Sequence, residues 1–408
     1  MPGYSVPYDL ESSSFLVDPY STWAKLRAEK PVYQDPQTGE WFLTRYDDCV
    51  TALHDQRLSS DRTEAWLGRL APVDLARAAY YETMRRAMMV FVDPPHHTRL
   101  RRLVARAFTP RMAEALRPRI QAIVDDLLDA VPPSDFDPIR DLALPLPYYV
   151  IADLNGIPRE DRQQVKAWSV DFAVTLGTLD GAIAARANAS LLAFADYLRP
   201  VVARLRTAPE PNLLSELVTA EAEGDRLSED ELFAMAMLLI MAGHETTTNL
   251  IGNGLWLLLQ HRDQLRLLLE DPAVIRSAVE EVLRYESPVR TAVRLATDSL
   301  VIGGVAIQRG TRVCVEIGAA NRDPAHFDDP ERFDIRRQPN PHLAFGDYVH
   351  ICLGSALARV ETQVALGTLV RRYPMMRTVM ATPDWLPHAA FRGLRSLRII
   401  VRPDTAAL

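Results

Sequence analysis

A single cysteine in a short polar turn is the first candidate for chemistry. The segment HLAFGDYVHICLGSALARVE, residues 342–361, places Cys352 just before a predicted helix, with His350 two residues earlier and Gly354 two residues later. Free backbone N–H groups at a helix N-terminus stabilise an anion and lower the pKa of a thiol. The turn therefore favours a thiolate that is a metal ligand or a nucleophile, against the plain alternative of a buried, inert cysteine.

Three kinds of site could use this thiolate. A nucleophile needs a general base, and His350 is a candidate, although a spacing of two residues in a turn does not assure contact. A structural zinc site normally has four protein ligands, and the sequence contains no Cys-x-x-Cys pair. A haem iron needs only one axial cysteine thiolate. The residues of the turn alone leave the nucleophile and the haem ligand both open.

The second candidate is the segment AGHETTT, residues 242–248, inside a long apolar stretch. Gly243 weakens a helix interior by about 1 kcal/mol relative to alanine, and Glu245 is a charge where burial is expected. Such a conflict between local propensity and position is typical of functional sites. Ala242 and Thr246 share a helix face, which leaves room for a flat ligand and a small molecule. Glu245 could pass protons to the Thr246 hydroxyl through water. A kinked core helix with a salt-bridged glutamate is the structural alternative.

The elements that must position these segments are mainly helices. The central helix is predicted to begin at a capping box of Ser228 and Glu231 and to end near Leu259, about 48 Å away. Apolar spacing predicts further helices over residues 46–55, 97–108, 111–131, 188–206, 273–285 and 355–373. Strands are predicted at about 30–46, at 294–318 and near the C-terminus, and residues 59–92 are predicted as a long loop with one short helix. We therefore expect one mainly α domain over residues 1–408 with a small β portion.

Composition excludes several classes of protein. The 408 residues carry a net charge of −7 with both signs mixed, which argues against a nucleic-acid-binding protein. Cys49, Cys314 and Cys352 lie far apart and form no disulfide framework. The N-terminus lacks a signal-peptide pattern, and the longest apolar stretch is too short to span a bilayer. We expect a cytoplasmic monomer with no membrane or nucleic-acid partner.

The cysteine segment resembles the haem-binding loop of the cytochrome P-450 monooxygenases, F-G-x-G-x-H-x-C-x-G followed by an L-A-R helix. The matching residues are Phe345, Gly346, His350, Cys352, Gly354, Leu357, Ala358 and Arg359. Four further segments resemble motifs of the same family, in the same order along the chain. They are DPPHHTRLRR from Asp93, AGHETT, the pair Glu281 and Arg284 in EVLR, and PERF with Arg332. Each motif is weak alone, but five in order across nearly the whole chain are very specific.

One position departs from the family pattern. Tyr348 stands where the family usually has the second glycine of the loop. Glycine at such a position allows a positive φ. Tyrosine must accept a strained backbone conformation or shift the loop, and we expect its ring to point outward.

The resemblance implies a haem b cofactor (iron protoporphyrin IX) between the central helix and the helix that follows Cys352. It implies that Cys352 is the axial thiolate and that Glu281, Arg284 and Arg332 form a structural group that holds the loop. Other residues are implied to contact the haem or its propionates: His97, Arg101, Ala242, Gly243, Arg294, Phe345, His350 and Gly354. For the arginines, a solvated surface charge is the alternative. Thr246 and Glu245 match the acid–alcohol pair that delivers protons to bound dioxygen.

The implied reaction inserts one oxygen atom of O2 into a hydrophobic or amphipathic organic substrate, by hydroxylation or epoxidation, in secondary metabolism. The sequence has no dinucleotide fingerprint, so electrons are expected from a separate ferredoxin-type donor. The stretch 97–119 carries seven arginines and one acid, Glu114, and could dock that donor. Arg290 could meet an acidic group of the substrate or point away. The competing hypothesis is a non-catalytic relative that recruits a carrier protein.

Overall fold

The central helix begins where the sequence places its capping box. The Glu231 N–H donates to Ser228 Oγ at 3.2 Å, and the Ser228 N–H donates to Glu231 Oε2 at 2.9 Å. These reciprocal bonds satisfy two backbone donors at the helix start. The helix then runs without a break from Glu229 to Gln260, which confirms the predicted position and length.

The structure, a computed structural model, describes residues 8, 10, 12–105, 108–132, 136–222 and 224–401. The chain forms two compact units. The first contains the chain up to Leu58, Arg119–Leu144 and the chain from Thr246 onward. The second contains Ser59–Pro118 and Pro145–Glu245. One domain over residues 1–408 stays a prediction.

Helices dominate both units, as predicted. The α-helices are α1 (Ser13–Val17), α2 (Tyr20–Glu29), α3 (Tyr46–His54), α4 (Thr63–Leu67), α5 (Pro72–Arg77), α6 (Ala79–Ala87), α7 (His96–Val104), α8 (Pro110–Ala115), α9 (Arg117–Asp129), α10 (Pro145–Leu154), α11 (Arg162–Val174), α12 (Gly181–Thr207), α13 (Leu213–Thr219), α14 (Glu229–Gln260), α15 (Arg262–Glu270), α16 (Ile275–Tyr285), α17 (Ile317–Ala320) and α18 (Ser355–Arg372). Short 3-10 turns lie at Met89–Phe91, Arg159–Asp161, Pro272–Val274 and Tyr348–His350, and a π-helical turn at Ile139–Ala143. None of the described helices is both long and apolar enough to cross a membrane.

The β portion is small, as predicted. Its strands are β1 (Val32–Gln34), β2 (Trp41–Leu43), β3 (Leu58–Ser59), β4 (Glu221–Ala222), β5 (Asp225–Arg226), β6 (Thr291–Ala296), β7 (Leu300–Ile302), β8 (Val305–Ile307), β9 (Arg312–Glu316), β10 (Arg377–Thr378), β11 (Asp384–Trp385), β12 (Leu394–Ser396) and β13 (Ile399–Ile400). The main sheet has the order β1-β2-β9-β6-β3, in which β2 and β9 are parallel and β6 and β9 antiparallel. Its apolar face packs in a core with α3 that includes Leu43, Val313 and Val315.

Two predictions of local structure were wrong. Residues 59–92 are not a long loop, because α4, α5 and α6 occupy most of the segment. In α6 the buried residues Tyr81, Met84 and Arg85 recur at helical spacing, and α5 and α6 both pack against α12. Tertiary packing therefore stabilises helices that are too short to be evident from propensity. The helix predicted over 111–131 is divided into α8 and α9, and the division precedes Pro118, which cannot continue a preceding helix.

Candidate active site

The turn that carries Cys352 is closed by backbone hydrogen bonds within the first unit. The Gly346 N–H donates to the Leu343 carbonyl at 2.8 Å, with Gly346 at φ +71°. The Cys352 N–H donates to the Phe345 carbonyl, also at 2.8 Å. Cys352 is exposed, and α18 begins three residues later at Ser355, as predicted. The loop thus holds a thiol at the start of a helix, where the helix dipole favours a thiolate.

Tyr348 adopts the strained conformation rather than shifting the loop. Its φ is +58°, in the left-handed region that costs a non-glycine residue roughly 1–2 kcal/mol. Its side chain is 44% exposed, and its ring stacks on His54 of α3 with centroids 4.7 Å apart. Asp347 supports the same turn, because its Oδ1 accepts from the Tyr348 N–H at 2.7 Å and its Oδ2 lies 3.0 Å from His54 Nε2. The expected outward ring is confirmed, and it rests on a histidine that sequence reasoning missed.

The pair Glu281 and Arg284 is fully buried and holds the segment that leads into the loop. Arg284 donates to both carboxylate oxygens of Glu281 at 2.8 Å and to the carbonyls of Asn321 and Pro330 at 2.9 and 2.8 Å. The Glu281 carboxylate also accepts from Asn340 Nδ2 at 3.1 Å, two residues before the start of the cysteine segment. These contacts agree with the structural role expected for the pair.

The third arginine of this group is Arg337, not Arg332. The Arg332 side chain is 65% exposed and pairs with Asp334 at 3.6 Å, so only its carbonyl takes part, accepting from Arg284 at 3.1 Å. Arg337 Nε instead lies 3.3 Å from Glu281, with its side chain 11% exposed. The prediction for Arg332 was wrong because the chain folds back after PERF and brings the later arginine to the buried carboxylate.

A second ion-pair cluster ties α16 and α18 to the loop. Glu280 lies 3.1 Å from His342 Nε2 and accepts from Arg359 at 2.7 and 2.8 Å. Burial by itself would raise the pKa of Glu280, but hydrogen bonds from His342 and Arg359 hold that pKa down to about 2. The Arg359 guanidinium also lies 4.5 Å from the centre of the Phe345 ring. Arg359 belongs to the L-A-R motif, whereas no local motif indicates the contribution of Glu280.

The AGHETTT segment divides into packing residues and exposed residues. A side chain at Gly243 would place a Cβ 2.9 Å from Ile151 of α10, so glycine permits close helix packing there. His244 is buried and its Nδ1 donates to the Ile240 carbonyl at 2.7 Å. Thr248 donates to the Ala143 carbonyl at 2.8 Å. Gly243, His244 and Thr248 therefore serve the fold.

Ala242, Glu245 and Thr246 of the motif have a different environment. Ala242 is exposed, although its neighbours Leu238 and Met241 on α14 are buried. Thr246, one turn further along α14, is half-buried. Glu245 is half-buried too, and burial raises the pKa of its carboxyl. Ala242, Glu245 and Thr246 are thus the residues of this segment that could serve a ligand and proton transfer.

The predicted propionate residues occur in both units. In the second unit, His97 and Arg101 lie one turn apart on α7; His97 is buried, and burial and then Arg101 lower its pKa to about 4. In the first unit, Arg294 lies on β6 opposite Val313 and donates to the Val293 carbonyl at 3.1 Å. His350 ends the 3-10 turn before Cys352. Their role toward a cofactor stays a prediction.

Arg290 does not behave as a substrate residue. It is 1% exposed and donates to the carbonyls of His388 and Leu16. The sequence left two alternatives open for Arg290, and the structure supports the one in which its side chain points away from a substrate.

The residues present fit an iron porphyrin held through one thiolate. In the first unit the Cys352 thiol is exposed, and a Cβ added at Gly354 would meet no atom within 4 Å. In the second unit, the exposed Ala242 can contact a flat ring, and Arg101 is a cation suited to a carboxylate. Within the described part of the chain, no cluster of three His, Cys, Asp or Glu residues could hold a bare metal ion. The donor set therefore suits a cofactor that brings its own nitrogen ligands.

Comparison with known proteins agrees with this donor set. The family description "Cytochrome P450" matches residues 181–382. Cytochrome P450 107B1 of Saccharopolyspora erythraea is 43% identical over 95% of this chain and 96% of its own length. Vitamin D(3) 25-hydroxylase of Pseudonocardia autotrophica is 41% identical over 98% of both chains. The crystal structure of P450BioI in complex with hexadec-9Z-enoic acid ligated acyl carrier protein shares 37% identity and a TM-score of 0.87, covering 96% of this chain and 99% of that one.

These relatives match almost the full length of the chain at well above 30% identity. The mainly α fold with small sheets is the fold of the matching solved structure. The family implies a haem-iron cofactor, dioxygen, an organic substrate and a redox partner. The chain belongs to the cytochrome P450 family and is a monooxygenase.

Proposed function

We propose that this monooxygenase uses haem b, with Cys352 as the axial thiolate, to insert one oxygen atom of O2 into a hydrophobic or amphipathic organic substrate. The reaction is a hydroxylation or an epoxidation in secondary metabolism. The observation that carries the proposal is the cysteine loop, closed by the Cys352–Phe345 hydrogen bond and held by the Glu280 cluster. When bound, haem supplies the iron that activates dioxygen, and a thiolate ligand favours O–O cleavage.

The chain contributes proton delivery through α14. Thr246 holds a proton at its hydroxyl beside the exposed Ala242, and Glu245 replaces that proton through water. Burial raises the pKa of Glu245, so its carboxyl carries a proton nearer to neutral pH than an exposed glutamate does. Gly243 contributes indirectly, because it allows α14 to approach α10 closely.

The cofactor carboxylates are assigned to His97 and Arg101 on α7 and to Arg294 and His350. Because the pKa of His97 is about 4, Arg101 is the charged member of its pair near neutral pH. Phe345 supports the loop through its contact with Arg359.

The electron donor is proposed to be a ferredoxin, and the chain is proposed to act as a cytoplasmic monomer. Two arginines of the stretch 97–119 are used inside the second unit: Arg99 pairs with Asp225 and Glu231, and Arg117 with Glu114. Arg111 is exposed, and we propose that it contributes to docking an acidic donor.

An apolar substrate is supported by the relatives. One is named for 25-hydroxylation of vitamin D(3), and another was solved with a hexadec-9Z-enoic acid ligated acyl carrier protein. These two relatives differ in whether the named molecule is free or attached to a carrier protein. Binding of a free and of a carrier-bound substrate to this protein can be compared by the effect of each on the haem absorption band.

The absorption spectrum of the reduced protein under carbon monoxide tests the proposal. We expect the strongly red-shifted band of thiolate-ligated haem in the native protein. Cys352→Ser should abolish this band, whereas Cys314→Ser, which changes a buried cysteine of β9, should retain it. No haem band in the native protein would favour the non-catalytic relative, and a red-shifted band in Cys352→Ser would exclude Cys352 as the ligand.

A further inference from the structure

Arg85 of α6 is a buried cation with an unusual environment. It is 3% exposed, on the same buried helix face as Tyr81 and Met84. Its guanidinium lies 3.8 Å from the centre of the Phe91 ring. In the described part of the chain no carboxylate oxygen lies within 4 Å of it, and its Nε and Nη1 atoms donate no hydrogen bond. Burial lowers the pKa of Arg85, whereas Tyr81 and, to a smaller extent, Asp61 raise it.

The other buried arginines of this protein do have acceptors. Arg284 donates to Glu281, Arg322 pairs with Glu331 at 2.7 Å, and Arg392 pairs with Glu286 at 2.7 Å. Arg290, which makes no carboxylate contact, donates to backbone carbonyls. A buried charge is expensive unless it is paired and hydrogen-bonded. Among these arginines, Arg85 is therefore the one whose Nε and Nη1 donors both have no acceptor among the described residues.

The polar groups at this position are donors. Arg85 offers a planar fork of N–H groups that matches a carboxylate. The Tyr81 hydroxyl, one turn earlier on α6, is buried and also makes no hydrogen bond to the described residues. The Phe91 ring on one side of the guanidinium supplies an apolar contact without neutralising its charge. A single carboxylate would satisfy these donors and compensate the charge.

We propose that Arg85, assisted by Tyr81, binds a carboxylate of a bound ligand. Two molecules bring a carboxylate to a P450: an acidic organic substrate and the haem itself. The inference rests on the proposed function, which supplies both a haem and an organic substrate to this protein. If the source is the substrate, this monooxygenase favours organic acids over the corresponding neutral molecules.

The test uses the haem-loaded protein and two probes of equal chain length, dodecanoate and dodecanol. Binding is titrated by the shift of the haem absorption band, and haem retention is measured as the rate of haem transfer to apomyoglobin. Arg85→Gln removes the charge. Arg86→Gln is the matched control, because Arg86 is the adjacent residue, is exposed, and pairs with Glu82 at 2.9 Å.

For a substrate carboxylate, the native protein should bind dodecanoate about tenfold more tightly than dodecanol, the factor expected for a charge-assisted hydrogen bond. Arg85→Gln should remove this preference and Arg86→Gln should keep it, with haem transfer unchanged in both. For a haem carboxylate, Arg85→Gln alone should speed haem transfer about tenfold, with no change in the preference for acid. Either pattern supports the assignment of Arg85 to a carboxylate and identifies its source.

Unchanged probe preference together with unchanged haem transfer in Arg85→Gln would overturn the proposal. If that variant does not fold, Arg85→Lys takes its place, since lysine keeps the charge but loses the planar fork. The lysine variant should weaken dodecanoate binding or haem retention severalfold, and equality with the native protein in both would again overturn the proposal. The reduced carbon monoxide spectrum is recorded first for every protein. Loss of the red-shifted band in the native protein would contradict the proposed function, whereas a normal band without either effect contradicts only the role of Arg85.

Discussion

The finding that Arg337, and not Arg332, contacts the buried carboxylate of Glu281 leads to a prediction about the stability of the protein. Arg337 has its side chain 11% exposed; besides Glu281 it donates to the carbonyls of Asp328, Asp329 and Arg332 at 2.6, 3.0 and 3.0 Å. Arg337→Ala removes these bonds and leaves part of the charge of Glu281 uncompensated. At about 0.5–1.5 kcal/mol for each hydrogen bond, with some donors near solvent, we expect a loss of about 2–3 kcal/mol in the free energy of unfolding.

Arg332→Ala is the matched control, because it removes the same residue type from the same segment. Its side chain is 65% exposed and its ion pair with Asp334 is long, at 3.6 Å. An exposed pair of this kind contributes about 0–1 kcal/mol, so we expect a change of no more than about 0.5 kcal/mol. The backbone carbonyl that accepts from Arg284 is retained in this variant.

The assay is urea unfolding of the haem-loaded proteins, followed by far-ultraviolet circular dichroism and by the reduced carbon monoxide band. Arg337→Ala should lower both midpoints, and the haem band should be lost first, because Glu281 anchors Asn340 next to the cysteine segment. Equal effects of the two substitutions, or a larger effect of Arg332→Ala, would refute the assignment of Arg337 to the buried cluster.

Three further predictions concern the site itself. Thr246→Ala should keep electron consumption while product falls and hydrogen peroxide rises; unchanged product per electron would remove Thr246 from proton delivery. Glu280→Gln should lower stability between pH 5 and 8. Because the folded pKa of Glu280 lies below its usual value of 4.5, at about 2, the difference from the native protein should shrink as pH falls from 4.5 toward 2; a difference that persists at pH 2 would contradict the ion-pair origin. His54→Ala should destabilise the native protein by about 0.5–1 kcal/mol and have a smaller effect on Tyr348→Gly, whose glycine accepts a positive φ and has no ring to stack; equal urea shifts in the two backgrounds would show that His54 acts independently of Tyr348.

Much of the site could be predicted because its chemistry is encoded in local spacing. A loop that presents one thiol at a helix start needs glycine and short polar residues within about ten positions, and the segment 342–361 contains them. The start of α14 could be predicted in the same way, because the two residues of a capping box lie only three positions apart. The shared helix face of Ala242 and Thr246 in α14 likewise follows from their spacing of four residues.

Tyr348 is a position that local spacing did not decide. The sequence showed a conflict, a bulky residue where a positive φ was expected, and left two outcomes open. The structure shows the strained conformation, in a turn that is capped by Asp347 and contacted by His54 through both Asp347 and the Tyr348 ring. His54 lies 293 positions from its partner Asp347, so no local pattern could have revealed the contact.

The amino-acid sequence by itself determined the identity of the cysteine loop, the position of the central helix and the mainly helical class, since each depends on neighbours along the chain. Tertiary structure decided that Arg337 rather than Arg332 reaches Glu281, that Arg290 points away, and that residues 59–92 form helices, one of which buries Arg85. These outcomes depend on which distant groups supply acceptors and apolar surface to a side chain. Burial and hydrogen bonding set the energy of a charged group, and both are established only when the chain has folded.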